Sequence, residues 1–257
     1  MPGILRTRWQ QGYRTIDYPD GPPPALPMRF AGRPVISRTT CPTDCQACAE
    51  VCPTDAISVN ANDGSLRLDM GRCIFCRACE MACPDQAIHF SRKHELAAVR
   101  RADLLVGDEP DRVPSAFDAR IRSLFGRSLK LRQVSAGGCN ACEADTNVLG
   151  TVGWDLGRFG IQFVAAPRHA DGLLITGPVT RNMEVALRKT YDAVPSPKIV
   201  IAVGACAISG GLYRTHEETR GGAGEIVPVD LFIPGCPPHP LTILDGLLRL
   251  LGRIGRT

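Results

Sequence analysis

The sequence predicts two domains of different class. An α+β domain covers residues 40–95, and a doubly wound α/β domain with a parallel sheet covers residues 130–257. Three observations carry this. A cysteine-rich run occurs twice, as CPTDCQACAEVCP (41–53) and CIFCRACEMACP (73–84), each followed by a short apolar stretch. Beyond residue 129, strand and helix patterns alternate, which implies parallel strands joined by crossover helices. The last four cysteines each follow a strand pattern or an apolar stretch, and in such sheets ligands sit at the carboxyl ends of the strands.

Residues 1–39 hold six prolines in YPDGPPPALPMRFAGRP and read as an extended N-terminal arm that lies along a partner in a larger complex and is disordered in the isolated chain. In the repeat, CAEVCPTDAISV and CEMACPDQAIHF align almost residue for residue. Each half reads as a cysteine loop, a short helix after the proline turn, then a strand. Between the halves, NANDGSLRLD reads as a hairpin turned at Asp63-Gly64. Residues 96–129 read as a linker with one short helix. The second domain opens with the strand KLRQV (130–134) and a helix from ACEADTNVLGTV. The strands IQFVAA and DGLLITG, the helix TRNMEVALRKTYDAV and the wholly apolar strand KIVIAVG follow. The amphipathic helix PLTILDGLLRLLGRI closes the chain.

Composition narrows the class. The chain has 257 residues, 44% of them apolar and 22% charged, enough for two domains with real cores. The net charge of +4 comes from scattered arginines, which argues for a solvated surface and against nucleic-acid binding. No apolar run reaches the length of a membrane span, and the start lacks the pattern of a secretory signal. The expectation is a cytoplasmic protein, with peripheral attachment to a membrane complex through partners left open.

Twelve cysteines in such a compartment point to metal rather than disulfides. The spacing C-x2-C-x2-C-x3-C-P is that of bacterial two-cluster ferredoxins, in which the fourth cysteine reaches across to the other cluster. That crossing assigns Cys41, Cys45, Cys48 and Cys83 to one 4Fe-4S cluster and Cys73, Cys76, Cys79 and Cys52 to the other. Three residues rather than two separate Cys41 from Cys45, a departure that bears on the geometry of the first cluster. The last four, Cys139, Cys142, Cys206 and Cys236, lie on three glycine-flanked loops and form a third tetrad. Twelve cysteines then make three tetrads with none left over. Ordinary buried cysteines fit this loop placement poorly. Zinc ribbons, built on two separated cysteine pairs, fit the two long runs poorly.

On these residues the chain resembles a fusion of two neighbouring subunits. The stretches GGCNACEAD, APRHADGLLITGPVTRNMEVALRKTYDAVPSPKIVIAVGACAISGG and EIVPVDLFIPGCPP, with the terminal helix, resemble the 20 kDa subunit of complex I and the small subunit of group 4 membrane-bound nickel–iron hydrogenases. The first domain, with GYRTIDYP and FAGRPVI, resembles the ferredoxin subunit of formate hydrogenlyase-type complexes. The resemblance implies a ferredoxin-like fold followed by a flavodoxin-like one. It also implies three 4Fe-4S clusters in an electron relay, with no complete active site in this chain. The implied partners are a large catalytic subunit and other subunits of a membrane-bound complex. Hydrogenase small subunits carry C-x-x-C where the complex I subunit carries adjacent cysteines. Cys139 and Cys142 match the former, so a subunit of a complex I-like quinone reductase is the second reading and a zinc-stabilised assembly protein the third. The resemblance also draws Glu143 toward a proton relay, against a plain helix-start acid. Arg168 falls at a basic position that would raise the cluster potential, against a plain surface arginine. His169 and His239 read as polar contacts.

Overall fold

The computed structural model describes residues 2–37, 45–59, 65–83, 85–107, 125 and 128–254. Cys41, the Asp63-Gly64 turn and most of the 96–129 segment, with its expected helix, lie outside the described residues.

The second domain is built on five parallel strands: β6 (Leu129–Ser135), β7 (Ile161–Phe163), β8 (Gly172–Thr176), β9 (Ile199–Val203) and β10 (Leu231–Ile233). Their spatial order is β10-β9-β8-β6-β7. Counted within the domain from the other edge this is 2-1-3-4-5, the flavodoxin-like order. Strands β8 and β9 are buried along their whole length, as their unbroken apolar sequence requires of strands covered on both faces. Gly172 lets two of them approach: a Cβ there would stand 2.4 Å from the Ile199 carbonyl oxygen. Helices α4 (Ala141–Val148), α5 (Arg181–Ala193), α6 (Ala205–Ser209) and α7 (Pro240–Leu250) connect and cover the sheet. Helix α7 turns nearly every residue inward, including Leu244, Leu247 and Leu248.

The first domain comprises two small antiparallel sheets. In one, β1 (Pro34–Ile36) pairs with β4 (Ile88–Phe90). In the other, β2 (Ile57–Val59), β3 (Leu66–Asp69) and β5 (Leu105–Val106) lie side by side. The short helices α2 (Ala47–Glu50) and α3 (Ala78–Ala82) pack together. They precede the Cys-Pro pairs, not follow them as the repeat suggested. Each carries the third cysteine of its run, and Pro53 falls in the turn leading from α2 to β2.

The N-terminal arm differs from a plain extended segment. It begins with helix α1 (Pro2–Gln11), and β1 near its end joins the first domain. Between them Tyr18 is buried, its hydroxyl donating to Asp245 of α7 at 2.6 Å. Arg92 donates to the carbonyls of Leu26, Pro27 and Met28, fixing the proline-rich stretch whose own N–H groups are few.

The domains share a core. One apolar cluster includes Leu68, Met70 and Ile88 of the first and Leu173, Val200 and Ile208 of the second. Ala98, leaving the first domain, exchanges two backbone hydrogen bonds with Phe232 (2.9 and 2.8 Å) and so covers the β10 edge. The Ser209 hydroxyl donates to the Gly71 carbonyl at 2.9 Å, and Arg214 pairs with Asp55.

Candidate iron–sulfur centres

The second cysteine set is assembled from both runs. Cys52 follows α2, Cys73 and Cys76 sit in the loop before α3, and Cys79 lies within α3. The four line one small apolar recess with Leu68 and Phe90. Burial pushes the thiols of Cys73 and Cys79 up to about 12, and the neighbouring thiols push in the same direction: Cys52, Cys76 and Cys79 act on Cys73. Four thiols so placed ionise together only against a strong local positive charge, which a metal centre supplies.

Backbone donors already face the sulfurs. Phe75 N–H points to Cys73 Sγ (3.3 Å), Ala56 N–H to Cys52 Sγ (3.3 Å) and Ala87 N–H to Cys83 Sγ (3.2 Å). The last two are equivalent positions of the repeat, each four residues past the cysteine before proline. Of the first set, Cys45 and Cys48 lie at the start of α2 and Cys83 just after α3. Cys41 lies outside the described residues.

The third set lies at the carboxyl edge of the parallel sheet. Cys139 and Cys142 fall between β6 and the first turn of α4, Cys206 in α6 after β9, and Cys236 just past β10. Strands β6 and β8 flank the point where strand order reverses, the place where such sheets bind ligands. The four thiols act on one another: Cys206, Cys236 and Cys139 all raise Cys142, after burial, and Cys206 is pushed up to about 11 by burial and then by Cys236 and Cys139. None of the described cysteines is in a disulfide.

Glycine makes room here. Gly204 has φ +91°, and a Cβ on it would stand 2.5 Å from Cys142 Sγ. A Cβ on Gly211 (φ +55°) would meet Cys206 Sγ at 2.9 Å. A further device joins the second and third sets. In Cys76-Arg77-Ala78-Cys79 and Cys139-Asn140-Ala141-Cys142, the residue after the first cysteine is left-handed (φ 62° and 70°) and the helix begins at the alanine. Such conformations cost a non-glycine residue about 1 kcal/mol or more and collect at functional sites. Cys45-Gln46-Ala47-Cys48 has the same sequence pattern, but Gln46 has φ −121°. The C-x-A-C motif is therefore written three times in the chain and bent alike at two places.

Beside Cys142, Glu143 is buried between the ends of β6 and β8. Its Oε1 accepts from the Ser135 hydroxyl (2.5 Å) and the Thr176 hydroxyl (2.6 Å). Burial pushes its carboxyl up, but these two hydrogen bonds outweigh that and hold it below the usual carboxylate range. The partners Ser135 and Thr176 carry no sequence motif; only their strand-end positions marked them. Arg168 is exposed, and the charges acting on Cys206 and Cys236 come from other thiols and Glu143 rather than from it. His169 is exposed as well. His239 caps α7, its Nδ1 accepting from Leu241 N–H at 3.1 Å. Its ring meets Phe30 and Trp154 edge-on.

A cavity of about 290 Å³ lies between the Ile74–Phe75 turn of the second set and the Cys236 loop of the third. Thr242 and Asp145 line it, and the buried Thr242 Oγ1 has no hydrogen-bond partner among the described residues.

The donor set, the amides facing sulfur and the glycine clearance together define an iron–sulfur protein. Residues 139–250 match the family model for the NADH ubiquinone oxidoreductase 20 kDa subunit, and residues 37–88 match that for the 4Fe-4S dicluster domain. The probable membrane-bound hydrogenase subunit mbhJ of Pyrococcus furiosus is 40% identical over 138 residues, 54% of this chain and 83% of that protein. Formate hydrogenlyase subunit 7 of Escherichia coli is 42% identical, over 54% of this chain and 58% of that one. An NADH-quinone oxidoreductase subunit of Desulfovibrio desulfuricans is 42% identical, over 44% of this chain and 61% of that one. The chain belongs to the 20 kDa subunit family and joins to it a 4Fe-4S dicluster domain. It is an iron–sulfur electron-transfer subunit of a hydrogenase or complex I-like oxidoreductase complex. Among the described residues, no helix is long and apolar enough to cross a membrane.

Proposed function

We propose that the chain holds three 4Fe-4S clusters and forms the electron relay of a membrane-bound nickel–iron hydrogenase or formate hydrogenlyase-type complex. The observation that supports this is the division of twelve cysteines into tetrads, of which the second lines one recess and the third lies on loops at the carboxyl edge of the parallel sheet. Cys41, Cys45, Cys48 and Cys83 would hold the first cluster. Cys52, Cys73, Cys76 and Cys79 would hold the second, and Cys139, Cys142, Cys206 and Cys236 the third. Such a cluster, when bound, takes up and releases one electron at a time.

The chain's own residues do the rest. Amides at Ala56, Phe75 and Ala87 stabilise sulfur-borne negative charge. Gly204 and Gly211 leave the space a bulky cofactor needs. Glu143, held ionised by two hydroxyls, suits a fixed charge that lowers the potential beside Cys142 better than a group that passes protons. Arg168, exposed, suits a contact with a partner.

Cys139 and Cys236 are exposed at the third site, and Leu212 and Tyr213 beside Cys206 are about half exposed (52% and 48%). That face suits the large catalytic subunit, with the first domain carrying electrons away from it. We infer a location on the cytoplasmic face of the membrane, reached through partner subunits. The C-x-x-C spacing of Cys139 and Cys142 favours the hydrogenase type. The quinone reductase type is the second reading, supported by the relatives named as subunits of NADH-quinone oxidoreductase. Co-purifying the large subunit and assaying it for nickel separates the two: about one nickel per complex is expected, and a nickel-free complex with quinone reductase activity would reverse the order.

A further inference from the structure

Helix α1 stands apart from the body of the protein. Every described residue from 3 to 14 is exposed, including Leu5 (73%), Trp9 (85%) and Tyr13 (88%), spaced four apart. Large apolar side chains bared together on a short segment mark a surface that something else covers. The same segment is positively charged throughout. Residues 2–16 contain Arg6, Arg8 and Arg14 and no Asp or Glu; the first acid is Asp17. The guanidinium of Arg8 caps the helix by donating to the Gly12 carbonyl and lies over the Tyr13 ring at 5.3 Å. The segment is tethered at its far end. Thr15 Oγ1 donates to the Val152 carbonyl (3.0 Å), Ile16 N–H to the Gly153 carbonyl (2.9 Å), and Tyr18 is locked to Asp245. Val152, at that anchor, is itself 73% exposed.

Exposed tryptophan and tyrosine flanked by arginine match the boundary between water and lipid, where an apolar ring body and a polar edge are both satisfied. Ten helical residues span about 15 Å, half the hydrocarbon thickness, so the helix suits lying in the surface rather than crossing it. The absence of any acid across the segment selects an anionic surface. We propose that residues 2–14, helix α1 and the turn after it, lie on an anionic lipid bilayer, with Leu5 and Trp9 of the helix and Tyr13 beyond it in the headgroup–acyl boundary and the arginines on lipid phosphates. The chain thereby has a lipid contact of its own, in addition to any made through partners.

The test is co-sedimentation of the full-length, anaerobically purified holoprotein with two vesicle preparations. One is phosphatidylcholine with phosphatidylglycerol at about three parts in ten; the other is phosphatidylcholine alone. The expected result is binding to the first at least about ten-fold tighter than to the second, weakened by raising salt from about 0.1 to about 0.5 M. The double variant Leu5→Asp/Trp9→Asp should lose about ten-fold or more of that binding while keeping the wild-type iron content and visible absorbance. Equal binding of the double variant, or no binding of the wild type to anionic vesicles, overturns the proposal. If the double variant instead abolishes self-association, or retention of a partner subunit, with vesicle binding absent throughout, the face belongs to protein and the proposal is wrong.

Discussion

Replacing Tyr18 with Phe tests how the N-terminal arm is held. The change removes one atom. It keeps the ring that meets His94 edge-on at 5.7 Å, so the effect reports the hydroxyl. That hydroxyl donates to Asp245 Oδ1 at 2.6 Å, and Asp245 is fully buried. The carboxylate's other partner is Arg249, whose Nε reaches Oδ2 at 2.8 Å and Oδ1 at 3.1 Å. A hydrogen bond to a buried charge contributes about 1.5–3 kcal/mol, and here its loss leaves Oδ1 with only the longer Arg249 contact. Tyr18→Phe should therefore destabilise the protein by about 2 kcal/mol. Asp245→Ala, which strands Arg249 in a largely buried site, should cost about 3–5 kcal/mol. The double variant should cost little more than Asp245→Ala alone, because the two changes remove the same contact.

The pH dependence has a definite sign. Burial first, then the charge and hydrogen bond of Asp245, hold the phenol far above its ordinary value of 10.0. A raised folded-state value means that the stabilisation is fully present below about pH 10 and declines as pH rises above it. The difference between wild type and Tyr18→Phe should be constant from about pH 7 to 9.5 and shrink beyond pH 10. Anaerobic urea unfolding followed by far-ultraviolet circular dichroism gives both quantities. A loss under about 0.5 kcal/mol, or additive single-variant costs, would show that the arm is not fastened through this pair.

Gly204→Ala places a methyl where Cys142 Sγ stands, at a left-handed backbone position; about four irons per chain should be lost, as read by colorimetric iron analysis, with the first domain's share retained. Thr242→Val removes a buried hydroxyl with no partner among the described residues, so thermal unfolding should be unchanged or raised by an amount worth about 1 kcal/mol. A fall of that size would mean that the hydroxyl is bonded within the adjoining cavity.

Much of the second domain was legible because its signals are local. Short β-branched apolar runs such as IVIAV favour strands buried on both faces over helix, and their alternation with helices implies parallel pairing. The strand order follows from no single residue, yet the cysteines marked the carboxyl edge without it. LFI (231–233), only three residues long, was visible as an apolar stretch before Cys236 but not as a fifth strand. The fastening of the arm is invisible in sequence for a physical reason. Tyr18 and Asp245 are 227 residues apart, and nothing near either in sequence announces the other. The helices of the cysteine runs lie about two turns before the position that the Cys-Pro pairs suggest. In the folded loops, each helix instead begins at the alanine of C-x-A-C. Glu143 stood out by its position next to Cys142, whereas the hydroxyls that hold it ionised come from strands that meet only in three dimensions.

The proposed relay requires that the third cysteine tetrad hold a cluster through which electrons pass. Its most direct test is electron paramagnetic resonance of the reduced complex carrying Cys142→Ser, with iron content and hydrogen-linked turnover measured on the same samples. A serine oxygen is a poor substitute for a soft thiolate. The wild type should hold about twelve irons per chain, and the variant about eight, or about eleven if a three-iron form persists. The signals of the first domain should be intact, that of the third site gone or converted, and turnover lost. Wild-type turnover with the third signal absent would show that electrons bypass this site, and stoichiometric zinc without iron in the wild type would contradict the account altogether.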